Sequence, residues 1–320
     1  MALIALASAS GAPGVTTTAV GLTLTWRRAA LLVDADPGAH QAILAGYLGG
    51  QLATGKGLQR VAEAHRDRRP LLEVVSDETV PLTAADRALD GAGAAAATKD
   101  GPSRRLLPGF ARPANAGLFG PVWPDLADAF VRLETAGIDV IVDAGRIERQ
   151  GLPQPLVDRA DLVALVTRSN LRSLAAARTY ASMLRDQTRL AGGELNLGVL
   201  VVGDQMPYGS REIGRLLELP VISVLPHDPA AAAAFSDGAP RLRRFDRSPL
   251  VRGLHHTVDD LTGHIRRRRG RLGLDEGVEP SAAAPVGSVP GGQAVAATGP
   301  AESAPEPARL RAGVGGGDRG

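Results

Sequence analysis

Short apolar runs alternate with helix-length stretches over most of the chain, and this alternation restricts the fold more than any other feature. Strand-like runs cover Leu3–Leu6, Ala30–Val33, Leu106–Leu107, Val140–Val142, Leu162–Val166, Leu197–Val202 and Val221–Leu225. Helix-like stretches lie between them at Thr17–Arg27, Gln41–Leu48, Val122–Ala136, Leu171–Leu190 and Arg211–Leu217. Strands that are apolar throughout must be covered on both faces, and parallel neighbours need a crossover long enough to hold a helix. The pattern predicts a three-layer α/β/α domain with a mostly parallel sheet. The chain is 44% hydrophobic but only 3% aromatic, so its core must be Ala, Val, Leu and Ile, as buried parallel strands require.

Other bulk properties narrow the function. The absence of cysteine removes disulfides, thiolate metal sites and cysteine nucleophiles. A net charge of +2 makes charge a local rather than a global property. Residues 1–7 are apolar without a basic leader and run into a Gly-rich turn, which reads as a buried first strand rather than a signal peptide. No apolar run reaches the length of a membrane span, and the expected location is the cytoplasm. Residues 89–104 are expected to form a flexible insertion. From residue 273 onward Ala, Gly, Pro, Ser and Val dominate, and so few large apolar side chains cannot offset the entropy of ordering. The expected organisation is therefore one domain over 1–272 and a disordered tail over 273–320.

The chemistry is concentrated just after the first strand, in "SASGAPGVTTTAVGL". A phosphate-binding loop reads G-x-x-x-x-G-K-S/T. Gly11, Ala12, Pro13, Gly14, Val15, Thr16, Thr17 and Thr18 keep its length and first glycine, and Thr18 stands where the magnesium-binding hydroxyl belongs. Thr16 replaces the second glycine and Thr17 replaces the lysine. Main-chain amides at a helix N-terminus still attract an anion; the missing cation is the one that meets the β- and γ-phosphates. By itself the loop would read equally well as a strand-to-helix turn capped by threonines. Its neighbours add weight. "LLVDADPGAH" puts Asp34 and Asp36 after the second strand, and "DVIVDAGRI" puts Asp143 at the tip of another. Carboxylates at strand ends beside such a loop suit a Mg²⁺–phosphate site.

With these motifs in order, the chain from residue 1 to about 265 resembles the ParA/MinD-type P-loop ATPases, which include the CpaE/TadZ-like proteins of Tad pilus systems. "APGVTTTA" is similar in length and threonines to the family's deviant loop K-G-G-x-G-K-T-T. "ADLVALVTRSNLRSLAAA" and "ELPVISVLPHDPAAAAAFSDGAP" followed by "SPL" are similar to later family segments. The resemblance implies ATP and Mg²⁺ as cofactors, with Gly11, Pro13, Gly14, Val15, Thr16, Thr17 and Thr18 around the phosphates. It implies Thr18, Asp34 and Asp143 around the metal, Asp36 positioning the attacking water, and Pro226, His227 and Asp228 near the adenine. Ala12 and Thr17 depart from the family by removing both lysines, so weak or absent hydrolysis is expected. A homodimer and a protein partner from a secretion, pilus or partitioning system are further implications.

Two alternatives stay open in the sequence. One is a working ATPase in which Arg27, Arg28 or a partner's arginine supplies the missing charge. The other is a nucleotide-free scaffold whose basic run Arg266–Arg271, in "HIRRRRGRLG", binds DNA or the inner face of the plasma membrane. Against the latter, Leu254, Val258, Leu261 and Ile265 form a thin apolar stripe expected to pack on the domain, leaving the arginines as a solvated helix end.

Overall fold

The computed structural model describes residues 2–10, 14–50, 55–83, 102–190, 196–241 and 243–273, all within the compact unit Met1–Asp275. Its strands are β1 (Leu3–Ser8), β2 (Ala29–Asp34), β3 (Val80–Pro81), β4 (Arg104–Leu107), β5 (Ile138–Arg146), β6 (Leu162–Arg168), β7 (Leu197–Val202) and β8 (Val221–Leu225). They form one sheet in the order β3-β4-β2-β5-β1-β6-β7-β8, parallel throughout except for the β3–β4 pair. Every strand predicted from sequence is present. β3 was not predicted: two residues, one of them Pro81, carry no strand pattern, and the edge position tolerates the missing amide.

The helices are α1 (Val15–Thr25), α2 (Leu58–Arg66), α3 (Leu71–Asp77), α4 (Pro113–Gly117), α5 (Trp123–Leu133), α6 (Gln154–Arg159), α7 (Leu171–Leu190), α8 (Ser210–Leu217), α9 (Pro229–Ser236) and α10 (Pro249–Arg271). Side chains alternate across the sheet, as the two-residue period of a strand requires. In β1, Leu3, Ala5 and Ala7 join one buried cluster with α2, α3 and α5 to α8, whereas Ile4 and Leu6 join another with α1, α9 and α10. The three layers follow from this division. Between α1 and α10 the fit is close: a Cβ on Gly21 would lie 2.7 Å from a Leu254 methyl. Leu254, Val258, Leu261 and Ile265 are all buried in this second cluster, so the apolar stripe of α10 packs on the domain.

Two expectations need correction. The stretch Gln41–Leu48 holds a π-type turn over Ile43–Tyr47 rather than an α-helix. The proposed insertion cannot extend to residue 104, because Arg104 opens β4, and its buried guanidinium donates to the carbonyls of Trp26, Pro102 and Arg28, the last at 2.6 Å. Residues 89–101 of the insertion and almost all of the tail fall outside the described residues.

β1 lies between β5 and β6, and its two neighbours are reached by crossovers on opposite sides of it. Such a reversal leaves a crevice at the carboxyl edge of the strands, where open α/β sheets bind ligands.

Candidate functional site

β1 brings the chain to this edge at Ser8, and α1 departs from Gly14. Gly14 has φ +98°, a left-handed conformation that glycine adopts without a Cβ penalty. Its carbonyl accepts from Thr18 N at 2.8 Å. Gly14, the N-cap of α1, has no side chain to cap the helix, so the amides of its first turn keep donor capacity for an external acceptor. They border a cavity of about 1350 Å³ lined by Gly14, Val15, Thr16, Thr17 and Thr18. Gly11 and Pro13, predicted alongside them, lie outside the described residues.

The opposite walls come from other strand ends. Asp36 and His40 follow β2, Gly145 to Gln150 close β5 and the loop after it, and Pro226, His227 and Asp228 follow β8. Asp36 is fixed in its turn by the Gly38 amide, which donates to its Oδ1 at 2.8 Å. Gly145, at φ +59°, packs directly on that carboxylate: an added Cβ would lie 2.4 Å from Asp36 Oδ1. Asp228 caps α9 by accepting from Ala231 N at 3.1 Å, so it shapes the wall while it lines it.

Asp34 and Asp143 sit beneath the cavity rather than on its lining. They face each other in register, Asp34 at the end of β2 and Asp143 inside β5, which runs on to Arg146 rather than ending at this residue; they are 4% and 0% exposed. Asp143 Oδ1 accepts from Gly145 N at 3.0 Å, and the nearby Thr16 hydroxyl favours its charged form. Thr16 therefore stands close to β5. Burial, opposed by the Thr16 hydroxyl and the Gly145 amide, pushes the Asp143 pKa to about 6. Burial, followed by the charge of Asp143, pushes Asp34 to about 8. One oxygen of each, Oδ2, is buried with no hydrogen-bond partner in the described structure.

Two orphaned carboxylate oxygens beside a threonine hydroxyl fit a divalent cation. Mg²⁺ binds through one or two carboxylates, water and substrate phosphates rather than a full protein cage. Accordingly, no group of three His, Asp or Glu side chains suited to a metal occurs among the described residues. Thr18, Asp34 and Asp143 would hold such an ion, directly or through water, and it would neutralise charge on a bound phosphate.

The structure therefore gathers Gly14, Val15, Thr16, Thr17, Thr18, Asp36, Pro226 and Asp228 around one cavity and places Asp34 and Asp143 just under it. It does not bring Arg27 or Arg28 to this cavity. Arg27 and Arg28 precede β2 at the opposite edge of the sheet, where Arg27 donates to Asp259 at 2.7 Å and Arg28 lies 3.9 Å from Asp139. The cavity has arginines that motif reasoning missed: Arg146, Arg149 and Arg168. Only strand parity signals Arg168. Two residues beyond Val166, it falls on the same side of β6, the side that faces α1.

No family model matches the chain. The MinD cell division protein of Aquifex aeolicus superposes with a TM-score of 0.59 over 82% of this chain and 97% of its own length, at 19% identity. The fold is that of the MinD and ParA ATPases. MinD of Pyrococcus horikoshii, complexed with Mg-ADP, gives a TM-score of 0.52 at 15% identity, over 81% of this chain and 94% of its own. A ParA family ATPase of Chlorobium tepidum gives 0.55 at 15% identity, over 80% and 98%. Among curated sequences, an uncharacterized protein of Mycobacterium tuberculosis is 32% identical over 154 residues, 43% of this chain and 41% of that protein. The iron-sulfur cluster carrier protein of Mycobacterium bovis is 25% identical over 171 residues, 50% of this chain and 42% of its own length. The matches thus span less than half the length of these relatives.

Proposed function

We propose that this chain is a MinD/ParA-type protein that binds an adenine nucleotide with Mg²⁺ and acts as a spatial organiser or regulator, turning ATP over slowly or not at all. The supporting observation is a single cavity that joins the uncapped first turn of α1 to the Pro226–Asp228 wall, with Thr17 where intact loops carry lysine. Amides alone hold phosphate in the ground state. A cation matters most as charge redistributes during phosphoryl transfer, so its absence costs turnover more than binding. Asp36 is the residue to position an attacking water, and it is already fixed in its turn by the Gly38 amide.

The biological setting that this reading favours is localisation of a Tad-like secretion or pilus apparatus, or a partitioning or division-site system, through a homodimer and a protein partner. The CpaE/TadZ-like branch accounts best for a loop without lysines. The iron-sulfur cargo in one relative's name does not carry over, since clusters are held by cysteine thiolates and this sequence has none. Basic residues of α10 are the candidate for peripheral contact with a membrane or DNA, but Arg269 is already committed. It donates to both oxygens of Asp161 and to Glu134, at 2.7–2.8 Å.

Calorimetric titration with ATP and ADP, with and without Mg²⁺, tests the proposal together with a turnover assay. Binding with turnover far below that of lysine-bearing P-loop ATPases supports it. Turnover equal to theirs, or no binding of either nucleotide, refutes it.

A further inference from the structure

A nucleotide cavity without lysine still has to balance phosphate charge, and the described residues that border it include no lysine. We propose that Arg168 supplies the cationic contact to the phosphates that Thr17 cannot, an inference that rests on the nucleotide reading above. Three observations support it. Arg168 is the last residue of β6, adjacent in the sheet to β1, whose end launches the loop. Its position in the strand matches that of Val166, which packs in the cluster that includes α1, so its side chain belongs to the face of the sheet that carries the α1 N-terminus. Val202 and Leu225, from the ends of β7 and β8, line the same cavity and pack with the same cluster, which continues this face outward from β6.

Chemistry supports it as well. Arg168 lines the cavity, and its Nε is buried without a hydrogen-bond partner in the described structure. A guanidinium donor withdrawn from water and left unmatched is costly unless an acceptor arrives. A phosphate oxygen is the acceptor for which its planar fork is shaped. The other guanidiniums nearby, Arg146 and Arg149, come from the β5 side of the loop. Both are exposed, so water already meets their donors. Arg168 also explains how the chain does without a lysine in the loop: the charge has moved from the first turn of α1 to the neighbouring strand. From there it meets an anion already seated on the amides.

The test uses the full chain at low ionic strength, titrated with ATP and with adenosine in a calorimeter. Arg168→Gln is expected to weaken ATP by about 10- to 100-fold, the worth of one or two charge-assisted hydrogen bonds, and to leave adenosine unchanged. Arg168→Lys should recover most of the loss. Arg27→Gln, at the opposite edge of the sheet, should bind ATP as the parent does. If Arg168→Gln does not fold, as judged by circular dichroism, Arg168→Met keeps the stem without the charge and takes its place with the same two outcomes. Unaltered ATP affinity in the folded, charge-free variant overturns the assignment and leaves the nucleotide site standing. Failure of the parent protein to bind ATP overturns the nucleotide reading, and the role of Arg168 falls with it.

Discussion

Replacing Asp34 by asparagine should stabilise the ligand-free protein, and should do so more as the pH rises. Asp34 is almost fully enclosed, one of its oxygens is unmatched, and burial together with the facing charge of Asp143 moves its pKa from 3.8 to about 8. The sign follows from linkage. Well below pH 3.8 the carboxyl is protonated in both folded and unfolded chains, and Asp34 carries no penalty. Between that pH and about 8 the unfolded chain ionises while the fold resists, so unfolding releases a proton and stability falls as pH rises. Each unit is worth ~1.4 kcal/mol, which sets a ceiling of about 4 kcal/mol near pH 7. Relaxation, coupling to Asp143 and the amide of the new asparagine reduce the expected gain to about 1–3 kcal/mol. Urea denaturation of parent and Asp34→Asn in chelator, at several pH values, reads the difference from the transition midpoints. The gain should shrink toward zero near pH 4. An Asp34→Asn protein that is less stable near neutral pH, or a difference that does not change with pH, would refute this account of the buried pair.

Further substitutions probe the walls and supports of the site. Gly145→Ala must accept φ +59° and a Cβ 2.4 Å from Asp36 Oδ1, so it should lose about 1–3 kcal/mol in a urea melt and weaken nucleotide binding as Asp36 shifts. Trp26→Phe removes the indole donor held at 2.7 Å by the buried Asp139, and should cost about 1–3 kcal/mol in the same assay, with no change in ATP affinity. Arg269→Gln unties the end of α10 from Asp161 and Glu134. Faster hydrogen exchange confined to the last turns of α10 is the expected outcome, with binding at the distant cavity unaltered.

The layered fold was legible because β1, β2, β5, β6 and β7 are apolar on both faces and are interrupted by helix-length stretches, a combination that few architectures besides a covered parallel sheet can satisfy. α2 and α3 were less visible. They are short, and their apolar positions, Leu58, Val61, Leu71 and Val74, gain meaning only once the cluster they fill is known. Ile43–Tyr47 reads as a helix in pattern, yet it closes into a π-type turn where a Cβ on Gly46 would strike the Ser236 carbonyl. At the site, the carboxylates announced themselves by following apolar runs, although β5 continues past Asp143 to Arg146. Arg168 did not, because an arginine after a buried strand usually marks its emergence into solvent. The difference lies in which face its parity selects, and that depends on where α1 sits. Similarly, Thr16 reads as a lost glycine in the loop, whereas its hydroxyl lies near enough to Asp143 to favour that carboxylate's charged form.

The central claim is that the first turn of α1 and the wall after β8 hold the two ends of one nucleotide. Amide hydrogen exchange of the full chain, with and without saturating Mg-ATP, addresses it directly. The account predicts slowed exchange at Val15–Thr18 and in the segment from His227 to Ala231, with little change at the far end of α10. Exchange that is unaltered at Val15–Thr18 in the presence of ATP would contradict it.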